Sequence, residues 1–600
     1  MQLTDFAAAP NLVRLFLDRA DELGEAPFLG AKAGGEWHTT SWAEAARQVC
    51  LLAEALRRLG VADGERVMLV SENRPEWAIA DLAIMAAGAI TTPAYTTNTE
   101  RDHVHILDNS GAAAAIVSTA RLAEPLLAAM VRAGSARHLI GIEPLRAGQQ
   151  GGFATHVWSK LVPGDAAAAR TAVDARIARI GRGDPACIIY TSGTSGAPRG
   201  VLLHHGAILC NVDGAAEALA RDFGWERERF LSFLPLSHAL EHTGGLFLPI
   251  GLGAEIWFAE GLDKLASNLQ EARPTFMIVV PRLFEVLRGR LINQVEKQGR
   301  VARFVLAQAL ALAERRAAGH RRASDWAVER LLDVTLRPKV RARFGGRIKA
   351  LVSGGAPLNP EVGAFFQSVG LTMLQGYGQT ESAPVISVNF PSAGIKLDTV
   401  GPPLRGVEVR MAEDGEILVR GELVMLGYWQ DPAETARTIV DGWLHTGDIG
   451  HFDARGRIVI TDRKKDIIVN DKGDNIAPQK LEGMLTLQPE IGQAMVSGDK
   501  RPYVVALVVP DGEWCARWAR ANGEAGDAHA LAQLPAYRAA VRAALERVNK
   551  DLSVIEKVRQ FALADEPFAI ANGEMTPSMK IRRHAIRERY AARIDGLYRA

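Results

Sequence analysis

Short apolar runs alternate with longer amphipathic stretches from about residue 35 to residue 420. The runs Val67–Val70, Ala114–Val117, Cys187–Tyr190, Phe276–Val280 and Ile348–Val352 have strand length. Trp42–Leu59 and Leu262–Ala272 repeat apolar residues at helical spacing. Alternation of this kind predicts an α/β architecture with substantially parallel sheets. From Gly406 the pattern changes. GVEVRM and EILVRG alternate apolar and polar positions on either side of a Gly-containing turn, which predicts a β-hairpin. A further strand is predicted at Arg457–Thr461, against the charge run Asp462–Asp466. Beyond it lie predicted strands Gln493–Val496 and Tyr503–Val509, a helix over Pro535–Leu552 and a basic tail. The charge run coincides with the change of pattern, so the expected organisation is a large N-terminal domain, 1–461, and a smaller C-terminal domain, 462–600. No fixed-period repeat is present.

Composition narrows the classes. Hydrophobic residues make up 48% and charged residues 23% of 600, which excludes a largely disordered chain. Lys and Arg number 70 against 69 acids, so no global basic field for nucleic acid exists, although a local patch remains possible in principle. The four cysteines, Cys50, Cys187, Cys210 and Cys515, are far apart and form no CxxC pair. That pattern argues against a disulfide scaffold or structural zinc and fits free thiols in a reducing compartment. The N-terminus reads as an amphipathic helix rather than a signal peptide. The apolar stretch Leu82–Ile90 is too short to cross a bilayer. The Gly- and Pro-containing run His242–Ala254 should break as a helix. The expected location is cytoplasmic, with at most a peripheral contact at the inner face of the membrane.

The most informative segment is Tyr190-Thr-Ser-Gly-Thr-Ser-Gly-Ala-Pro-Arg-Gly200, set between two predicted strands. Its small residues let backbone N–H groups approach an anion. The hydroxyls of Thr191, Ser192, Thr194 and Ser195 add donors, and Arg199 adds charge. This suits a polyphosphate. On composition alone a plain Gly/Ser turn stays open as the alternative. The spacing is not that of a Walker A loop and no helix is predicted to follow. No GxSxG elbow is present.

That loop resembles the AMP signature of the adenylate-forming superfamily of acyl-CoA synthetases, adenylation domains and luciferases. Further segments resemble the family's motifs in the family's order. They are Val352-Ser-Gly-Gly-Ala-Pro-Leu358 for the adenine wall, Leu374-Gln-Gly-Tyr-Gly-Gln-Thr-Glu-Ser382 for the nucleotide site, and Trp443-Leu-His-Thr-Gly-Asp448 for the ribose. Asp462-Arg-Lys-Lys-Asp466 resembles the interdomain hinge, and Gly573-Glu-Met-Thr-Pro-Ser-Met-Lys580 the C-terminal lysine motif. Asn73–Tyr95, Leu234–His242, Val280–Leu287 and the TPxxK form resemble the long-chain fatty acyl-CoA synthetases in particular. Two departures stand out: Arg199 replaces the usual Lys, and Asp474 occupies a usual Lys position in the loop Asn470–Asn475.

The resemblance implies an α/β fold with a large multi-subdomain N-terminal domain, parallel-rich sheets and a small β-barrel-like part, followed by a small mobile α+β domain. It implies ATP-dependent activation of long-chain fatty acids to acyl-CoA through acyl-AMP, with Mg²⁺ and with coenzyme A as a substrate. A carboxylate is a weak nucleophile and pyrophosphate is highly charged, so positioning and charge neutralisation supply most of the catalysis. By resemblance, Lys580, Glu381 and Thr191 are catalytic and Glu381 also binds the metal. ATP or AMP is held by Thr191, Ser192, Gly193, Thr194, Ser195, Gly196, Arg199, Gly355, Ala356, Pro357, Gln375, Gly376, Tyr377, Gly378, Gln379, Thr380, Asp448 and Arg463. Tyr377 stacks on adenine, Asp448 holds the ribose hydroxyls, and Lys465 is the hinge. His238 is an acyl-pocket candidate, with a structural role as the alternative. Glu241 and His242 are candidates for the pocket mouth, and His204 and His205 read as structural.

Alternatives are a fatty acyl-AMP ligase that loads a carrier protein and a non-catalytic nucleotide-binding relative. The trio Glu381, Asp448 and Lys580 argues against the second. The segment 300–349 resembles a helical insertion of the long-chain subgroup. It carries thirteen Lys or Arg against four acids, a local balance of +9 in a nearly neutral chain. Apolar residues Val301, Phe304, Val305, Ala309 and Leu312 recur there at helical spacing. The readings are a solvated basic face packed on the body, or a contact with an anionic membrane surface; nucleic acid is not expected.

Overall fold

The computed structural model describes residues 6, 8–145, 152–191, 198–297, 299–317, 320, 322–524, 528–576 and 580–599. Two eight-stranded sheets form the larger part. The first runs, in spatial order, Val385–Val388, Met373–Gly378, Ala350–Ser353, Phe276–Val279, Arg229–Ser232, Glu255–Phe258, Pro27–Ala33 and Glu36–Ser41. Its central pairs are parallel and both edge pairs antiparallel. The second runs Gly427–Tyr428, Arg199–His204, Pro185–Thr191, Ile90–Ala94, Arg66–Val70, Ala114–Val117, His138–Gly141 and Ala154–Val157. In this sheet, alternate residues of one strand face different cores. Val67 and Leu69 join one apolar cluster, and Met68 and Val70 another. A strand covered on both faces must be apolar at every position, which is why these segments read as unbroken runs.

The hairpin expected after Gly406 is present as Glu408–Met411 and Glu416–Arg420. It pairs into a five-stranded antiparallel sheet with Trp443–Phe452, Ile439–Val440 and Ile458–Arg463. After the charge run, Ile491–Ser497, Val504–Pro510 and Val558–Leu563 form a three-stranded mixed sheet with apolar clusters on both faces. Helices Pro478–Thr486 and Pro535–Lys550 pack on one of those faces.

The run His242–Ala254 corrects the expectation of a broken helix. Ala239–Glu241 and Leu248–Leu252 are α-helical, and His242–Phe247 between them is a π-helix, buried at every residue. Packing explains why the glycines are accepted. A Cβ on Gly245 would lie 2.5 Å from the Glu241 carboxyl carbon, and one on Gly244 would press on Ile278. Burial in a crowded interior overrides weak helix propensity here. The apolar stripe of helix Arg300–Ala317 splits as well. Val305, Ala309 and Leu312 pack against Leu332 of helix Asp325–Thr335, whereas Val301 and Phe304 are 79% and 59% exposed.

Candidate functional site

The loops that follow parallel strands 350–353 and 373–378 open on the same side of the first sheet, the side where open α/β sheets bind ligands. Gly355 has φ +80°, a left-handed backbone that an L side chain resists, and it turns the chain after Ser353. Gly378 needs the absence of a side chain for a different reason: a Cβ there would overlap the Pro384 carbonyl oxygen. Strand 373–378 therefore ends tightly against its own return, and the 3₁₀ turn Thr380–Ser382 follows. Asn211 clamps that turn from a neighbouring helix. Its side-chain amide donates to the Ser382 carbonyl at 3.2 Å, and its carbonyl accepts from the Val385 N–H at 2.6 Å.

Asp448 lies in the middle of strand 443–452 and is 5% exposed. Its Oδ2 accepts the Tyr377 hydroxyl at 2.7 Å, and its Oδ1 lies 3.3 Å from Nε of Arg463, its register partner on the adjacent strand. Burial pushes the Asp448 carboxyl above its usual range, against the opposing pull of Arg463. Glu381, half-buried, accepts the Tyr428 hydroxyl on Oε1 at 2.8 Å. Lys580 follows Thr576, whose hydroxyl accepts its backbone N–H at 3.1 Å. Burial and then the nearby Arg463 charge depress the Lys580 ammonium from 10.5 to about 8, while Asp448 and Glu381 oppose that shift. His238 is depressed to about 4 by burial and by Lys580. The C-terminal lysine, the buried aspartate and the glutamate of the 380–382 turn thus share one electrostatic neighbourhood.

Thr191 ends strand 185–191 and pairs in register with Arg199 of the antiparallel strand 199–204, so the two residues face each other across a strand pair. Ser192, Gly193, Thr194, Ser195 and Gly196 lie outside the described residues. Arg199 Nη1 pairs with Glu434 at 2.6 Å, and its guanidinium sits 5.6 Å from the Tyr428 ring centre. Ala356 and Pro357 are exposed beside half-buried Gly355, and Gln379 and Thr380 are half-buried. Gln375 is buried, with Gly376 and Gly378 half-buried on the same strand. Lys465 is exposed in the turn that follows Arg463.

His238 caps the turn 239–241 by accepting the Leu240 N–H on Nδ1 at 3.2 Å, and it also lies near Lys580. Glu241 and His242 are both buried. His242 Nε2 is 2.8 Å from Oδ2 of Asp81, on a helix whose residues 77–86 are all buried. Glu241 sits in a desolvated position that raises its carboxyl to about 8. His204 caps helix 205–223, and His205 Nδ1 accepts the Leu12 N–H at 3.4 Å, both structural roles. Asp81, Asn211 and Tyr428 went unassigned from sequence. A lone Asn, Asp or Tyr carries no spacing signal, and each acquires its role through a partner 47 to 174 residues away.

Glu381 fits a hard divalent cation. It is an oxygen donor with one carboxylate oxygen already fixed. Among the described residues no cluster of three or more His, Cys, Asp or Glu forms a cage. One carboxylate plus substrate phosphates is the usual donor set for Mg²⁺.

Residues 16–429 match the AMP-binding enzyme family, and residues 465–600 match the AMP-binding enzyme C-terminal domain. The long-chain-fatty-acid–CoA ligase FadD15 of Mycobacterium bovis is 34% identical over 94% of this chain and 93% of its own. The peroxisomal long chain acyl-CoA synthetase 6 of Arabidopsis thaliana is 30% identical over 94% of this chain and 82% of its own. Among solved structures, the adenylation domain of a carboxylate reductase from Mycobacterium chelonae superposes with a TM-score of 0.75 at 21% identity. It covers 99% of this chain and 92% of that one. The anthranilate CoA ligase AuaEII in complex with anthranoyl-AMP gives 0.72 at 20% identity, over 98% and 100%.

Proposed function

Since the chain belongs to the AMP-binding enzyme family, we propose that it activates long-chain fatty acids to acyl-CoA, using ATP and releasing AMP and pyrophosphate. The observation that carries this reading is the convergence of Glu381, the Tyr377–Asp448–Arg463 group and Lys580. In the first half-reaction the fatty carboxylate attacks the α-phosphorus and pyrophosphate leaves. Lys580 neutralises charge between the carboxylate and the α-phosphate oxygens. Thr380 bonds the α-phosphate, and the loop Thr191–Gly200 cradles the β- and γ-phosphates, with Thr191 and Arg199 at its two strand ends. Asp448 accepts the ribose hydroxyls, Arg463 supports it, and Tyr377 and the Gly355–Pro357 loop enclose the adenine. Glu381 would hold Mg²⁺, which would supply charge neutralisation for the polyphosphate. In the second half-reaction the CoA thiol attacks the acyl carbon and AMP leaves. Rotation about Lys465 withdraws Lys580 between the halves, with residues 462–600 as the mobile unit.

The test is ATP–pyrophosphate exchange with a series of fatty acids, run with and without CoA. Exchange without CoA is expected, because the adenylate forms first. Exchange that requires CoA would overturn the two-step scheme, and acyl-AMP formation that no CoA consumes would identify a carrier-loading ligase.

Among the described residues no helix is long and apolar enough to cross a membrane. We further propose that helices 300–317 and 325–335 touch an anionic bilayer surface. Val301, Phe304, Trp326, Leu331 and Val334 are exposed apolar residues on this pair, and Trp326 is 74% exposed. Arg303, Arg322 and Arg330 are exposed on the same segment. Apolar side chains that insert and cations that pair with headgroups are the two components of interfacial binding. Arg315 does not belong to this set, because it pairs with the buried Asp325 at 2.6 Å. Arg321, and the side chain of Arg316, lie outside the described residues.

A further inference from the structure

The phosphate loop and the Glu381 turn belong to different sheets, yet a single short segment touches both. Residues 425–428 run between them. Met425 donates its N–H to the Glu381 carbonyl at 2.9 Å, and Leu426 donates to the Leu202 carbonyl at 2.9 Å. Gly427 and Tyr428 then pair antiparallel with Leu202 and Val201 on the strand that leaves the phosphate loop. The Tyr428 backbone is fixed further by its N–H, which donates to the Thr435 hydroxyl at 2.9 Å. Gly427 is required there, since a Cβ would lie 2.7 Å from the Thr435 methyl group.

From this anchored backbone the Tyr428 side chain reaches both partners. Its hydroxyl donates to Glu381 Oε1 at 2.8 Å, and its ring lies under the Arg199 guanidinium at 5.6 Å. Arg199 is held in turn by Glu434 Oε1 at 2.6 Å. The other Glu434 oxygen is taken by Arg437, at 2.6 and 2.9 Å. A glutamate side chain has three rotatable bonds and does not present a fixed oxygen unaided. A phenol on Oε1 fixes the carboxylate plane and leaves Oε2 for a cation. A phenol hydroxyl can donate to a carboxylate but a carboxylate cannot donate back, so the contact orients Glu381.

We propose that Tyr428 is a positioning residue for the metal-binding carboxylate of Glu381. Through Arg199 and Glu434 it also ties that carboxylate to the phosphate loop, so that the triphosphate and its cation are received as one unit. This rests on the ligase reading above. The arrangement accounts for the arginine at position 199. A planar guanidinium can stack on the Tyr428 ring and pair with Glu434 together, which an ammonium does less well.

The test uses Tyr428→Phe, which keeps the ring for Arg199 and removes only the hydroxyl. Three quantities are measured on the full chain: Mn²⁺ binding in the presence of a non-hydrolysable ATP analogue by electron paramagnetic resonance, the Mg²⁺ dependence of ATP–pyrophosphate exchange, and thioester formation from supplied acyl-AMP and CoA. A hydrogen bond to a charged group is worth roughly a tenfold effect or more. The expected result is about tenfold weaker Mn²⁺ binding and a similar rise in the Mg²⁺ needed for half-maximal exchange. The exchange rate at saturating Mg²⁺ and the thioester step should stay near wild type. Glu434→Gln should shift the metal dependence in the same direction by a smaller factor. Unchanged Mn²⁺ binding in Tyr428→Phe overturns the proposal, as does an equal loss in all three readouts with a lowered melting temperature. If the wild type shows no fatty-acid-dependent exchange, the ligase reading fails on its own, and the Mn²⁺ measurement still decides the role of Tyr428.

Discussion

Replacing Lys580 with alanine should separate the two half-reactions. The residue is half-buried, and its charge is felt by His238, Glu381, Asp448 and Arg463. An ammonium and an anionic oxygen about 4 Å apart attract by about 4 kcal/mol at an effective dielectric of 20. That agrees with the loss of roughly 10²–10³ in rate when one preorganised stabilising group is removed. Lys580→Ala should therefore slow acyl-AMP formation by about that factor. It should leave the conversion of supplied acyl-AMP and CoA close to normal, because the proposed rotation at Lys465 would by then have withdrawn the residue. The assay is a pair of single-turnover measurements on each protein, with a melting curve as a control for folding. A second signature comes from pH. The ammonium is depressed to about 8, and only its protonated form neutralises charge, so wild-type exchange should fall as pH rises through about 8. Bound triphosphate moves that limb upward by favouring the charged form. The variant should lack the limb. Equal losses in both half-reactions with an unchanged melting curve would refute domain rotation here. No loss in either would show that a different lysine acts.

Asp448→Ala should impair both half-reactions in the same two assays, since the ribose stays bound through each; an intact thioester step would refute this. Gly378→Ala should lower the melting temperature and abolish exchange, because the new Cβ meets the Pro384 carbonyl, which is backbone and cannot swing aside; wild-type stability would show that the turn relaxes. Arg303, Arg322 and Arg330 changed together to Glu should weaken binding to anionic vesicles, at about 1 kcal/mol per residue near the surface. Activity on a soluble medium-chain acid should be unaffected, and unaltered vesicle binding would leave the basic face merely solvated.

Much of the core was legible because burial on both faces writes itself as continuous apolar runs. Ala114–Val117 is a strand with the bounds its sequence predicts, and Trp42–Arg58 ends one residue before the predicted helix. The run at 242–254 was misread because propensity counts Gly244, Gly245 and Pro249 against a helix, whereas the crowding around Glu241 and Ile278 decides the outcome. The stripe from Val301 to Leu312 was read as one face. Val305, Ala309 and Leu312 meet the partner helix, but Val301 and Phe304 face outward while Ala302 and Leu306 pack on a different core. At the site, the motif residues could be assigned roles by resemblance, but their orienting partners could not. Tyr377 meets Asp448 across 71 residues, and Tyr428 meets Glu381 across 47. Such pairs exist only once strands from separate parts of the chain are side by side.

Asp448 and Arg463 face each other on neighbouring strands, and Lys465 comes two residues after Arg463. In the proposed mechanism the grip on the sugar therefore lies at the pivot's stationary side, and the lysine of the first step on the travelling side. On that mechanism the nucleotide half of the mixed anhydride would act as a tether while the machinery around the acyl carbon is exchanged. A water-sensitive intermediate then never has to dissociate to meet its second partner. The tether also dictates an order of departure: pyrophosphate escapes before the swing, and AMP departs only after the thioester has formed. Accumulated AMP should compete with ATP for the free protein, so the removal of AMP and pyrophosphate by other enzymes would set how far the overall conversion runs.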